Sequence, residues 1–456
     1  MIDGLKPYAV YKDSGVPWLG QVPEDWALRR MKTVLRERRQ KGFPDEPLLA
    51  ATQTKGVVRK EDYENRTVLA LKDLHLLKLV RVGDFVISLR SFQGGIEYAR
   101  EQGIISPAYT VLYPSDPNTH AYLAWLFKSR PYIENLTLFV TGIRQGQSVD
   151  YEKLSRSELP VPPAPDRSAI VTFLNNAERC ISRHIRTKEK LVKLLEEQKR
   201  AIIDRVVTRG LDSNVRLKPS GVEWLGDVPE HWEVSRVKAQ FACLNRRRIP
   251  LSGTARGALT VRQFDYYGAS GVIDKVDSFL FDDDLLLIAE DGANLVLRNL
   301  PLAIVARGRF WVNNHAHVLK PKRGNIEFLA AIMEGLNYMP WISGAAQPKL
   351  TQDRLMSIAI AVPPRDEQDR IIERVRGETT PLRIAIDRCH REVSLLQEYR
   401  TRLITDVVVG RLDVREAAKA LPEPVVEDEP LEESQYEVGE DGSDGSEEMG
   451  EGEAAT

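Results

Sequence analysis

Residues 14–26 read SGVPWLGQVPEDW and residues 220–232 read SGVEWLGDVPEHW, identical at 10 of 13 positions with an offset of 206. The match reaches outward: Lys12, Arg30 and Lys32 recur as Lys218, Arg236 and Lys238. Two later blocks recur at an offset of 201. Val161-Pro162-Pro163 returns as Val362-Pro363-Pro364, and EQKRAIIDRVVTRGLD (Glu197 to Asp212) returns as EYRTRLITDVVVGRLD (Glu398 to Asp413). A period of about 200 residues is too long for a solenoid, whose repeat is roughly 20–50 residues. The expected architecture is two domains of similar build, related by a pseudo-two-fold axis.

Between the blocks the two copies share an outline. Residues 33–160 read as α+β. Val80 to Ser88 is a turn feeding a β-branched strand, Ser106 to Leu112 reads as a second strand, and Ala121 to Lys128 as a helix. Residues 166–209 contain no proline or glycine, and Ile181, Ile185, Val192, Leu195, Ile202 and Val206 fall on one helical seam. With Lys188 and Lys199 filling the gaps, the steps alternate four and three, the period of a coiled coil. Gly210 is placed to end this helix. Residues 366–409 repeat the seam as Leu382, Ile386, Cys389, Val393, Leu396, Leu403 and Val407. Gly377 and Pro381 predict a kink or break at its front end, with Thr380 capping the longer piece. The domain limits follow: 1–160 and 213–361 for the two globular parts, 161–212 and 362–413 for the long helices, and 414–456 for an acidic segment whose composition predicts disorder.

Composition narrows the function. No stretch approaches the ~18 apolar residues of a membrane span. The start, MIDGLKPYAV, lacks the apolar core of a secretory signal. Cys180, Cys243 and Cys389 show no metal-binding spacing, so reduced thiols and a cytoplasmic location are expected. The formal charge of −2 hides a division. From Glu423 on there are 14 Asp and Glu and no Lys or Arg, whereas residues 1–422 hold the other 52 acids and all 64 bases, a balance of +12. A basic body attracts polyanions. No GxxxxGK[ST] phosphate loop, GxGxxG turn or [DN]PP[YF] methyltransferase motif is present. No catalytic or metal-ligating residue is therefore expected; Asp282, Asp283, Asp284, Glu290 and Asp291 read as polar strand ends, and His315 and His317 as one face of a strand.

What remains is a common frame with different polar loops. One copy offers Arg90, Ser91 and Gln93; the other offers Asn294, Asn313, Asn314 and His315. Arginine reads guanine, and asparagine or glutamine reads adenine, through paired hydrogen bonds in the major groove. Tyr109, Arg144 and Gln145 in the first copy and Lys349 in the second complete the expected DNA-contacting set. Trp18 and Trp26, among glycines and prolines, are expected to pack a small core.

In the ordered set of paired SGVxWLGxVPExW blocks, paired VPP helix entries and paired helix ends, the chain resembles the specificity subunits of type I restriction–modification enzymes. The strings GDFVISLRSFQGGIE, SPAYTVL, AEDGAN and WVNNHAHVL resemble that family too. The resemblance covers residues 11–413. It implies an α+β fold of two target recognition domains joined by two long helices packed as an antiparallel coiled coil. It implies double-stranded DNA with a bipartite target as ligand, and as partners two adenine methyltransferase subunits and restriction/translocase subunits. S-adenosylmethionine, ATP and magnesium would then belong to those partners and none to this chain. Two other classes stay open from the residues alone: a coiled-coil adaptor that binds no DNA, and a fused nuclease or methyltransferase with an unfamiliar site.

Overall fold

The computed structural model describes residues 5–53, 55–62, 73–142, 148–212, 214–223, 225–344 and 348–421. Arg144, Gln145 and the acidic segment from 422 on lie outside the described residues. The chain divides into two compact units: Lys190–His390, and Met1–Glu189 together with the chain from Arg391 on. Both units draw on both long helices.

The first long helix is Ala164–Arg209, 46 residues, and the second is Arg365–Val408, 44 residues. Each follows a short strand, Glu158–Val161 or Ala359–Val362, from which a Pro-Pro pair leads into the first turn. Each ends at a glycine in the left-handed region, Gly210 at φ 77° and Gly410 at φ 79°. In the first unit the start of one helix lies against the end of the other: Ile170, Phe173, Leu174, Ile181 and Ile185 share a core with Leu403, Val407 and Val408. In the second unit Val192 meets Ile386 and Cys389, while Val206 and Val207 share a core with Ile371, Ile372 and Val375. Early residues of one helix thus pack on late residues of the other, which is antiparallel packing along the expected seam. The seam's charged interruptions find carboxylates. Lys188 pairs with Glu392 at 2.7 Å, Arg400 with Glu178 at 2.8 Å, and Lys199 with Glu196 of its own helix at 2.8 Å.

The second helix runs unbroken through Gly377 and Pro381, so of the expected kink or break the break does not occur. Proline removes the hydrogen bond to the carbonyl four residues back, here that of Gly377. Both residues are exposed, so water can take the orphaned acceptor. Thr379 and Thr380 do not cap a new helix; their hydroxyls donate to the carbonyls of Val375 and Arg376 within the same one.

Each unit is built on a four-stranded antiparallel sheet of one strand order. In the first the order is Leu35–Arg38, Thr110–Pro114, Phe85–Ile87, Glu97–Tyr98. In the second it is Phe241–Cys243, Ala316–Pro321, Leu285–Ala289, Ala303–Ala306. A strand pair at the helix entry is also common to both, Ala27–Arg30 with Glu158–Val161 and Glu233–Arg236 with Ala359–Val362. The sequence repeat is therefore a fold repeat. Each unit also carries a second set of strands in one order: Gly56–Arg59, Leu49–Thr52, Gly103–Ile105, Lys78–Val80 in the first, where the parallel step is the single bridge Leu48 to Ile104, and Gly271–Val276, Phe264–Gly268, Arg309–Val312, Phe281–Asp282 in the second. The strand expected to carry both His315 and His317 on one face begins only at Ala316. Asn313 Oδ1 accepts from the His315 amide at 2.8 Å, and that side-chain turn sends Arg309–Val312 and Ala316–Pro321 into different sheets. In the first unit the strand expected from Ser106 starts only at Thr110, after a turn closed by Tyr109 N to Ser106 O at 3.1 Å. Order also extends past residue 413: Val414 is fully buried and Arg415–Lys419 is helical.

The tryptophan of each VPExW block explains the duplication. Trp26 and Trp232 are 0% and 1% exposed. Trp26 Nε1 donates to Asp166 at 3.2 Å, and Trp232 Nε1 to Glu367 at 3.3 Å, each carboxylate in the first turn of a long helix. The same rings cover the far ends of the other helix. A Cβ on Gly410 would lie 3.0 Å from Trp26 and 2.5 Å from Pro23, and one on Gly210 would lie 3.4 Å from Trp232. Each copy of the motif thus ties the beginning of one long helix to the finish of the other.

Candidate nucleic-acid interface

In the first unit the strand Phe85–Ile87 runs into a helical turn, Ser91–Gly94. Ser91 is 1% exposed, and its hydroxyl accepts from Ser88 N at 2.8 Å, so it shapes the turn from within. Arg90 and Gln93 are exposed on the outside of that turn. Gln93 Oε1 accepts from Gln53 Nε2 at 3.2 Å, a partner 40 residues away, beside the hairpin strands Leu49–Thr52 and Gly56–Arg59. Beneath them, Lys128 Nζ donates to the carbonyls of Gln53 and Gly94 at 3.0 and 2.8 Å and to both Glu97 oxygens at 2.7 Å. Burial pushes the Glu97 carboxyl up to about 7, with Lys128 acting against it. Tyr109 is half-buried against a small core of Leu49, Val57, Val80 and Val111, away from this cluster in the contacts it makes.

In the second unit the equivalent strand Leu285–Ala289 leads to Glu290 and Asp291. A buried polar layer lies under the loops. His317 is 0% exposed; its Nε2 donates to Leu350 O at 2.7 Å and its Nδ1 faces Asn245 Nδ2 at 2.8 Å. Burial lowers its pKa, against the pull of the Leu350 carbonyl and of Glu290. Arg248 donates to Glu290 at 2.6 Å and to the carbonyls of Asn314 and Ala316 at 3.2 and 2.7 Å. Burial alone would raise the Glu290 pKa, but the Arg248 hydrogen bond and the charges of His317, Arg248 and Lys349 bring it below the usual value. Asn313 is buried in its own turn. Asn294 exchanges two hydrogen bonds with the Leu300 backbone, at 3.0 and 2.9 Å, and closes the 294–300 loop. That leaves Asn314 exposed, His315 half-exposed on Asp291 at 2.9 Å, and Lys349 exposed at 3.4 Å from Glu290.

The two histidines do not share a strand face: His315 sits in the turn and His317 is buried in the strand that follows. Asp282, Asp283 and Asp284 each face a different base, Arg309, Lys320 and Arg307. Among the described residues no group of three or more His, Cys, Asp or Glu is placed to hold a metal ion, and no helix is long and apolar enough to cross a membrane. The repeated cations Arg30 and Lys32, and their counterparts Arg236 and Lys238, are exposed. Sequence reasoning missed Gln53, Glu97, Lys128 and Arg248. Only the fold brings Gln53 to Gln93, and nothing local in the sequence signals it.

Residues 229–376 match the family described as the type I restriction modification DNA specificity domain. A Haemophilus influenzae protein named as the type I restriction enzyme specificity subunit S.HindORF215P is 33% identical over 132 residues, 28% of this chain and 33% of that protein. The chain thus spans about a third of that relative's length. Two Methanocaldococcus jannaschii proteins named as type I restriction enzyme specificity subunits, MjaX and MjaVIII, are each 20% identical. The MjaX alignment covers 87% of this chain and 96% of that one, and the MjaVIII alignment 74% and 81%. A solved structure described under complex assembly and conformational transition of the type I R-M system shares the fold, with a TM-score of 0.60 at 14% identity over 85% of this chain and 98% of that one. Along most of its length the chain is similar to type I restriction enzyme specificity subunits.

Proposed function

We propose that this chain is the DNA-reading subunit of a type I restriction–modification complex and recognises a target in two halves, one per unit. The observation that carries this reading is a frame built twice with unlike polar tips. The same sheet order and the same helix-end tryptophan recur, while the polar groups beside the sheets differ: Arg90 and Gln93 after the strand Phe85–Ile87, with Gln53, in one unit, and Asn314 and His315 ahead of the strand Ala316–Pro321, with Lys349, in the other. A shared frame suits contacts common to both half-sites, and Arg30, Lys32, Arg236 and Lys238 are suited to phosphates, which position a protein without reading sequence. Unlike tips suit different base edges. The long helices set the interval between the half-sites and offer the docking surface for partner subunits. Methyl transfer from S-adenosylmethionine, ATP-driven translocation and cleavage belong to those partners, and this chain carries out no chemical step.

Methylome sequencing of a host expressing the chain with methyltransferase subunits tests this. The expected result is adenine methylation at one sequence of two defined parts and an unspecified gap. Removing seven residues from both long helices should alter the gap and spare both parts. Methylation without any defined sequence, or the same sequence when this chain is left out, would sink the proposal.

A further inference from the structure

We infer that Gln53 and Gln93 act as one adenine-reading pair in the first unit, positioned by Lys128. This rests on the DNA-reading function proposed above. The two amides are exposed and joined at 3.2 Å, and the segments bearing them are fixed from below by one ammonium group. Two glycines make the approach possible. A Cβ on Gly94 would lie 2.8 Å from Gln53 Cγ. Gly95 has φ +86°, and a Cβ there would lie 2.3 Å from Phe127 O. A side chain at Gly94 would push against Gln53, and one at Gly95 would push the turn away from the segment that carries Lys128.

The chemistry of the pair is that of adenine recognition. A glutamine amide offers a donor and an acceptor side by side, matching N7 and the N6 amino group of adenine. The Gln53 bond occupies one lone pair of Gln93 Oε1. It leaves the second lone pair and both Gln93 N–H groups free, and it fixes the amide's orientation before DNA arrives. Holding a reading group in place by a supporting layer is what a specific contact requires.

The test uses the full chain assembled with its methyltransferase subunits, on duplex libraries with each half-site randomised in turn. Gln53→Ala and Gln93→Ala should lower discrimination at one adenine of one half-site by roughly 5- to 150-fold, the range of one paired contact, and leave the other half-site unchanged. Gln93→Glu should move the preference at that position toward cytosine, because a carboxylate accepts from its N4 amino group. Lys128→Met should relax the same position. Should Lys128→Met fail to fold by circular dichroism, the exposed glutamine variants decide alone. The proposal is overturned if all three glutamine variants keep the unaltered target at every position. If the unaltered chain directs methylation to no defined sequence, the DNA-reading function falls and this pair with it.

Discussion

Glu97 is 2% exposed, and the protein holds its carboxyl at about 7 instead of the ordinary 4.5. Burial is the larger effect, and the two Lys128 hydrogen bonds only offset part of it. A raised pKa means that the folded state binds the proton more tightly than the unfolded chain does. The resulting stability is complete below about 4.5, declines as pH rises, and is gone above about 7, a swing of about 3 kcal/mol at most. Glu97→Gln imitates the protonated form, so its stability should stay flat where the unaltered chain weakens between pH 5 and 7.5. Urea unfolding of both at several pH values checks this; parallel profiles would show that Glu97 does not titrate in that window. The same scale shows what sequence could reveal of the site. Arg90, Gln93, Asn314, His315 and Lys349 reach the surface as expected. Ser91, Asn294 and Asn313 are the same kinds of residue, yet their hydrogen bonds are taken by backbone groups of their own turns. Residue type gives hydrogen-bonding capacity, and only the fold decides whether the backbone consumes it.

Among the elements, the helix ends are where the two copies differ in tolerance. Gly410 and Gly210 both have φ near 78°, which costs an L-residue about 1–2 kcal/mol. A methyl on Gly410 would also meet the Pro23 ring at 2.5 Å, whereas on Gly210 its nearest neighbour is a Glu367 carboxylate oxygen at 3.1 Å, the end of a side chain that can move. Overpacking adds about 1–3 kcal/mol. Gly410→Ala should therefore cost about 2–5 kcal/mol and Gly210→Ala about 1–2 kcal/mol, measured by chemical denaturation; equal costs would contradict the clamp geometry. Pro381 gives the opposite sign. It lies exposed in a continuous helix, and an interior proline costs about 3 kcal/mol relative to alanine. Pro381→Ala should stabilise the chain by about 1–3 kcal/mol, seen as a raised thermal midpoint. The long helices were legible because a four-three seam kept up from Ile181 to Val206, and again from Leu382 to Val407, has no other reading. The proline misled because it removes one hydrogen bond without forbidding the helix, and here the acceptor it leaves belongs to an exposed glycine that water can reach. The turn that takes His315 out of the strand was illegible because its form depends on one side chain, Asn313, turning back on its own backbone.

At the scale of the molecule, the duplication was readable because each repeated block performs a task the fold needs twice, tying together two helix ends. The second set of strands in each unit had no such signal, since it recurs in the fold and not in the residues: Leu49–Thr52 reads LAAT where Phe264–Gly268 reads FDYYG. Charge is the other property that belongs to the whole. Residues 1–422 carry a balance of +12, and the 14 acids from Glu423 on bring the total to −2. In the DNA-reading role proposed above, a tethered polyanion competes with DNA for the same cations, and the competition is electrostatic. Its strength therefore depends on screening, with a Debye length of about 10 Å at 0.1 M salt and about 3 Å at 1 M. Deleting 423–456 should raise affinity for non-specific duplex by roughly 10-fold or more at low salt. It should also steepen the fall of log affinity with log salt, by about 0.9 for each additional phosphate neutralised. The curves of the full and shortened chains should converge at high salt, and the methylated sequence should not change, because phosphate contacts carry no base information. Fluorescence anisotropy with a random duplex, titrated at a series of salt concentrations, reads all of this directly. Equal affinities at every concentration would mean that the acidic segment never reaches the cations that hold the DNA backbone, and that the basic surplus acts independently of it.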